Sequence, residues 1–164
     1  MINQKDLPNQ AKKKEAETKK FFNKLKKNRP GDLDKIVHDL HDEVFAEMDC
    51  MTCANCCKTT SPIFKMRDIE CIAKHFKMKT NDFITKYLHL DEDNDYVLNS
   101  APCAFLAADN TCIIYENRPD ACREYPHTDR RKFYQLFDLT LKNTFICPAA
   151  YEIVERMKVK FESK

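Results

Sequence analysis

Glycine and tryptophan are nearly missing from this chain of 164 residues, which contains one glycine, Gly31, and no tryptophan. With a single glycine the chain cannot form a GxGxxG turn or a Walker-type loop, so glycine-based phosphate-binding sites are excluded. The low glycine content also favours a helical chain over one with many tight hairpins.

Long apolar runs are missing as well. No run of about 18 apolar residues occurs, so we expect no membrane span. The N-terminus has no apolar segment with a cleavage site, so no signal peptide is expected. We therefore expect a soluble, cytoplasmic protein in a reducing compartment, where disulfides do not persist. The count of nine cysteines is odd, which also argues against a closed disulfide framework.

Charge is unevenly distributed along the chain. Residues 1–30 contain ten Lys/Arg and three Asp/Glu, a net charge of +7, whereas the remaining residues contain eighteen and twenty-three, a net charge of −5. The pattern predicts a basic helical N-terminal arm over residues 1–30 and a cysteine-cluster metal-binding domain over residues 31–164. Because aromatic residues and arginine are sparse in the arm, we do not expect it to bind nucleic acid. The sequence identifies no protein partner.

Helical periodicity dominates the rest of the sequence. Asp32 and Thr80 are predicted N-caps, and Cys103 and Cys112 are expected to flank a small β-hairpin that turns at Asp109-Asn110. Residues 131–143 fit a strand or a helix equally well. The predicted helices cover residues 9–27, 33–48, 66–77 and 149–162, with short ones from Thr80 and Arg118, and the strand candidates are Tyr96–Asn99, Ala104–Ala107 and Thr111–Ile114.

Four cysteines fall within eight residues in the pattern C-x2-C-x2-C-C. A C-x2-C pair brings two sulfurs within reach of one ion, and this unit recurs in zinc ribbons and in ferredoxin-type clusters. Because the side chains of adjacent residues tend to point apart, Cys56 and Cys57 are expected to serve two ions, or one ion and one structural role, more easily than a single ion. With four cysteines downstream, the predicted metal ligands are Cys50, Cys53, Cys56, Cys57, Cys103, Cys112, Cys122 and Cys147.

Eight thiolates suit two four-thiolate sites or one polynuclear centre. The cofactor is expected to be zinc or iron. An iron–sulfur cluster is an alternative, because C-x2-C-x2-C with the remote Cys147-Pro148 follows the ligand pattern of a four-iron site. Cys71 lies in a helical segment without a motif and is predicted to be a small buried hydrophobe. His38 and His41 share a helix face and could form an auxiliary metal site or an acid/base pair, or be two partly exposed histidines beside the apolar stripe of their helix.

Several motifs together resemble one family. Besides Cys50–Cys57, they are Pro102–Leu106, Cys112–Tyr115, Arg118–Pro126 and Cys147-Pro148. In order and spacing they resemble the CxxCxxCC cysteine-cluster family, the YkgJ-type group of zinc- or iron-chelating proteins, over about residues 48–155. The resemblance implies a small metal-binding domain. Some relatives resemble flagellin lysine N-methylases, but this chain is much shorter and lacks a glycine-rich cofactor loop, so that activity is not carried over.

Basic and aromatic residues close to the cysteines are candidates for contacts around the metal. A zinc ion with four thiolates carries a net charge of −2, so nearby guanidinium groups would balance it; anion binding is the alternative role. These candidates are Arg118, Arg123, Tyr115, Tyr125 and His127.

The expected fold is mainly α with a small β-hairpin, a compact single domain organised around a multi-cysteine metal centre. Three functional hypotheses remain. The first is a metal-chelating protein whose function is binding itself, for structure, storage, delivery or sensing. The second is an iron–sulfur enzyme of redox or group-transfer type. The third is an interaction module with structural zinc and a basic arm.

Overall fold

A computed structural model of the chain describes residues 3–162. The chain forms two compact units, which we call the terminal unit (Met1–Asp49 and Pro126–Lys164) and the central unit (Cys50–Tyr125). Most of the described residues are helical and two short strands pair antiparallel, which confirms the mainly α class with a small hairpin. In chain order the elements are α1 (Leu7–Lys27), α2 (Leu33–Glu47), α3 (Cys50–Cys53), α4 (Asn55–Thr59), α5 (Met66–His75), α6 (Thr80–Tyr87), β1 (Leu88–Leu90), β2 (Tyr96–Leu98), a first 3₁₀ helix (Tyr115–Asn117), α7 (Asp120–Arg123), a second 3₁₀ helix (Phe133–Leu136), α8 (Phe137–Asn143) and α9 (Pro148–Glu162).

The core of the terminal unit is built from one face each of α1, α2, α8 and α9. The rings of Phe22 and Phe137 stack with their centroids 4.4 Å apart. Helix α2 buries an apolar stripe that includes Leu33, Val37 and Leu40, each at most 2% exposed. Burying side chains of this size stabilises the fold by about 1.5–3 kcal/mol each before chain entropy is subtracted.

Helix α1 contributes Phe21, Phe22 and Leu25 to the same core. Its lysines form ion pairs along the outer face, including those of Lys12 and Lys19 with Glu15.

The proposed division of the chain at residue 30 stays a prediction. Within residues 3–162, no helix combines the length and the apolar character needed to cross a membrane.

The central unit has a separate core around Phe105. The ring of Phe105 lies 6.0 Å from that of Phe83 on α6 and 5.2 Å from that of Tyr87, measured between centroids. Ile69 and Ile72 on α5 complete the core and are fully buried. Strands β1 and β2 pair in the register Leu88↔Leu98, His89↔Val97 and Leu90↔Tyr96.

The two paired strands lie elsewhere than the expected hairpin. They flank the acidic turn at residues 91–95, where Asp91 Oδ1 accepts hydrogen bonds from the N–H groups of Asp93 and Asp95. Strand β2 lies within the predicted strand Tyr96–Asn99, whereas β1 was not predicted. The segment containing Cys103 and Cys112 does turn between Ala107 and Asn110, but its pairing is one antiparallel bridge, Leu106↔Cys112.

Helix boundaries differ from prediction in small ways. Asp32 lies at the N-cap of α2, but its side chain makes no capping hydrogen bond. Lys79, not Thr80, is the N-cap of α6. Residues 133–143, left undecided by their pattern, are helical.

Two apolar side chains on helices face solvent. Val159 on α9 is 66% exposed. Cys71 on α5 is also exposed, so the prediction that it is a buried hydrophobe is wrong. Helix α5 buries Ile69, Ile72 and Ala73, and the 3.6-residue period places residue 71 outside that stripe.

Candidate metal centre

Two short helices present the C-x2-C-x2-C-C stretch. Helix α3 carries Cys50 and Cys53, and it ends at Ala54, whose φ of 48° is left-handed. Non-glycine residues adopt this conformation at a cost of about 1–2 kcal/mol. The Ala54 carbonyl then accepts a hydrogen bond from Lys58 N–H at 3.1 Å, in the first turn of α4. The sharp change of direction at Ala54 therefore separates the first two cysteines from the last two.

Cys56 and Cys57 both lie on α4, and their thiols do not diverge as the sequence predicted. The Cys56 thiol is hydrogen-bonded to both Cys50 and Cys57. In an extended backbone, the side chains of neighbouring residues point to opposite faces. On a helix, their directions around the axis differ by only about 100°. The sulfurs of Cys56 and Cys57 can therefore lie close to each other.

Loops of the central unit bring three further cysteines towards Cys57. The N–H of Cys103 donates to the carbonyl of Cys57 at 2.8 Å, which joins this loop directly to α4. Cys112 follows the turn at residues 107–110, and Cys122 lies on α7. The ionisation of Cys122 is disfavoured by Cys57, Cys103 and Cys112, so the four sulfurs lie within electrostatic range of one another.

Backbone N–H groups point at two of these sulfurs. Cys103 Sγ accepts a hydrogen bond from Phe105 N–H at 3.4 Å. The N–H of Ile114 stabilises the thiolate form of Cys112 in the same way. Hydrogen bonds to sulfur favour the charged thiolate, and they accompany thiolate ligands in metal and iron–sulfur sites.

The thiols nevertheless resist ionisation. Burial raises the pKa of Cys103 and of Cys112. Burial, followed by the three neighbouring sulfurs, raises the pKa of Cys122 to about 12. Hydrogen bonds to Cys50 and Cys57 and then burial raise the pKa of Cys56. Cys57 is the exception, because the hydrogen bond from Cys56 lowers its pKa, and Lys58 and Arg118 act in the same direction.

Arg118 is the principal cation at the cluster. It favours the thiolates of Cys57, Cys112 and Cys122. Its guanidinium lies 3.8 Å from the ring centroid of Tyr115, a cation–π contact that fixes its direction.

Arg123 holds the backbone of the Arg118 segment. Its Nε donates to the carbonyl of Arg118 at 2.9 Å, and its second guanidinium nitrogen donates to the carbonyl of Glu116 at 3.1 Å. Arg123 thus caps carbonyls, one of the roles expected for it, and fixes the segment from which Arg118 projects.

The remaining predicted residues are divided between the units. Cys147 and His127 belong to the terminal unit. Cys147 packs against the core of that unit, and its Sγ accepts a hydrogen bond from Ala150 N–H at 3.5 Å, at the start of α9. Tyr125 ends the central unit with its hydroxyl buried. The roles of these three residues around a metal stay predictions.

His38 and His41 both contact the segment that follows Pro126. His38 Nε2 lies 3.2 Å from the Arg130 carbonyl, and His41 Nδ1 lies 2.8 Å from Thr128 Oγ1. Burial lowers the pKa of His41. These contacts give both histidines a structural role within the terminal unit.

Two residues at the site were missed from the sequence. Lys58 directly follows the cysteine stretch, and this adjacency was the available signal. Asp68 is buried, and its carboxylate accepts hydrogen bonds from Lys65 N–H at 3.0 Å and from Asp120 N–H at 3.4 Å. It fixes the start of α7, which carries Cys122, but an acidic residue in a helix gives no sequence signal of such a role.

The donor set suits a thiophilic ion. Thiolates with N–H donors and a neighbouring guanidinium are the environment that zinc and iron bind. Across residues 3–162, no three or more His, Cys, Asp or Glu side chains have the spacing of a metal site. All nine cysteines are thiols. Because the metal binds the thiolate, an ion held here would displace the thiol protons.

These features describe a small helical cysteine-cluster protein. The family model described as "Putative zinc- or iron-chelating domain", CxxCxxCC, matches residues 49–143. The chain belongs to this family, and the resemblance predicted from the sequence is confirmed. Comparisons with curated proteins and with solved structures found no significant match.

Metal affinity should rise with pH. Cys103, Cys112 and Cys122 have raised pKa values and hold protons at neutral pH. Because an ion binds the thiolate, each proton lost on binding contributes about a tenfold gain in affinity per pH unit. Chelator-competition titrations between about pH 6 and about pH 8 would measure the slope. An affinity independent of pH would contradict thiol ligation.

Proposed function

We propose that this chain binds zinc or iron through the thiolates of its central unit, and that binding itself is the function. The proposed donors in that unit are Cys50, Cys53, Cys56, Cys57, Cys103, Cys112 and Cys122. Four thiolates close the coordination sphere of an ion and leave no position for a substrate. Structural, storage or delivery roles therefore fit better than an open catalytic site.

One observation supports this proposal most strongly. Cys57, Cys103, Cys112 and Cys122 come from four separate segments, yet their sulfurs are close enough to disfavour one another's ionisation. Burial and the neighbouring sulfurs both disfavour the thiolate forms of Cys103, Cys112 and Cys122. A bound cation would reverse both effects.

The basic groups support the same proposal. The hydrogen bond from Cys56, and then Lys58 and Arg118, lower the pKa of Cys57, whereas the pKa values of Cys103, Cys112 and Cys122 are raised, so Cys57 is the most readily ionised of the four. We propose that Cys57 captures the ion first. The charge of the bound ion would then lower the pKa of the remaining thiols and draw them into its coordination sphere.

Metal analysis of protein purified without oxygen tests the proposal. Zinc, iron and acid-labile sulfide per chain are measured after gel filtration, together with the visible spectrum. We expect zinc or iron to remain bound. Iron with sulfide would select the iron–sulfur alternative. If reduced protein retains neither metal and takes up neither when they are supplied, the proposal is wrong.

Matched cysteine variants locate the ligands. Cys57→Ser should lose most of the retained metal, because it removes the thiolate next to Arg118 and Lys58. Cys71→Ser is the control for the metal that remains bound through gel filtration, since Cys71 is exposed on α5 and outside the motif. Equal losses in the two variants would contradict the assigned cluster.

Removing the guanidinium of Arg118 should weaken metal binding by about 10- to 100-fold, the range measured for groups that support metal ligands. Arg118→Ala removes the cation that faces three of the thiols. Arg29→Ala is the matched control, because Arg29 also stacks on a tyrosine, Tyr134, at 4.0 Å in the terminal unit. Competition with a chromophoric chelator measures both affinities. Equal affinities for Arg118→Ala and wild type would show that Arg118 does not balance the charge of the site.

A further inference from the structure

A second group of donor side chains lies on α5, outside the C-x2-C-x2-C-C cluster. Cys71 and His75 are one helical turn apart, and both are exposed. Side chains spaced by four residues share one face of a helix. Asn117, the last residue of the first 3₁₀ helix, lies against this face.

The amide of Asn117 bridges the two α5 side chains. Cys71 Sγ donates to Asn117 Oδ1 at 3.3 Å, and Asn117 Nδ2 lies 3.2 Å from His75 Nδ1. The amide nitrogen can only donate. His75 Nδ1 must therefore accept, so it carries the lone pair that a metal would use. Three different donor atoms thus converge on one small region.

We propose that Cys71, His75 and Asn117 form a second, exchangeable site for a divalent transition ion such as Zn²⁺. The ion would replace the thiol proton of Cys71, which leaves to solvent, and would bind Sγ, His75 Nδ1 and Asn117 Oδ1. Water completes the coordination, as it does at open zinc sites with three protein ligands.

The spacing of the donors suits this ion. Zinc binds sulfur at about 2.3 Å and oxygen at about 2.0–2.2 Å, so the two donors of a tetrahedral site lie roughly 3.5 Å apart. The distance of 3.3 Å from Cys71 Sγ to Asn117 Oδ1 is close to this value. A histidine and a second donor four residues apart on one helix face are also the chelating unit of helical zinc sites. A thiolate, an imidazole and one oxygen select zinc over magnesium or calcium.

Protection of Cys71 from alkylation tests the site directly. Trypsin releases this residue in the peptide Asp68–Lys74, which contains no other cysteine, so its alkylation can be followed alone by mass spectrometry. The full chain is first loaded at the cysteine cluster and freed of excess metal. The iodoacetamide rate at Cys71 is then measured at increasing Zn²⁺. We expect micromolar Zn²⁺ to slow the reaction at least about tenfold.

Two variants assign the other donors. His75→Gln should raise the zinc concentration for half-protection by about 10- to 100-fold, and Asn117→Ala should raise it as well. His89→Gln, at an exposed histidine on β1, is the matched control and should behave as wild type. The zinc-free alkylation rate should be the same in His75→Gln and wild type, which separates zinc binding from a change in the thiol itself.

Three outcomes would overturn the second site. They are no protection at saturating Zn²⁺, equal protection in His75→Gln and wild type, and loss of protection in His89→Gln. The metal retained by the cysteine cluster is measured on the same samples. Because that metal should not change in His75→Gln, failure of the second site can be distinguished from failure of the proposed function.

Discussion

The central constraint on this molecule is the free-energy cost of ionising sulfur donors that lie close together. Burial and mutual repulsion both oppose ionisation of these thiols, and they raise the pKa of Cys103, Cys112 and Cys122. The surrounding structure offsets part of that cost through N–H groups aimed at sulfur and through the guanidinium of Arg118. An ion bound at the cluster would supply the rest.

Several backbone contacts of the central unit position the cysteines and Arg118. The left-handed Ala54 turns α4 away from α3, and the Cys103 N–H joins the following loop to α4. Asp68 fixes the start of α7, and Arg123 holds the segment that projects Arg118. Each of these contacts restrains a segment that carries a cysteine or Arg118. The geometry of the cysteine cluster therefore depends on the short helices and loops of the central unit.

The sequence predicted much of this and failed for identifiable reasons. Periodicity located α2 and α9 well, because their apolar stripes are long. It predicted β2 but not its partner β1, which directly follows α6 and was included in that helical segment. It also assigned Cys71 to the core, because a lone cysteine resembles a small hydrophobe. The positions of the buried residues on α5 show that Cys71 lies on the opposite, exposed side of the helix. The motif identified the family, but spacing alone could not show that Cys56 and Cys57 share one helix or that Asn117 lies against α5.

X-ray absorption spectroscopy of the metal bound by the anaerobically purified chain would test the central claim most directly, since it reports the atoms in contact with the ion. The account predicts a first shell made of sulfur at about 2.3 Å. It also predicts that this shell is the same in His75→Gln, because the second site on α5 is separate from the cluster. A first shell dominated by nitrogen or oxygen at about 2.0 Å would contradict thiolate binding by the central unit.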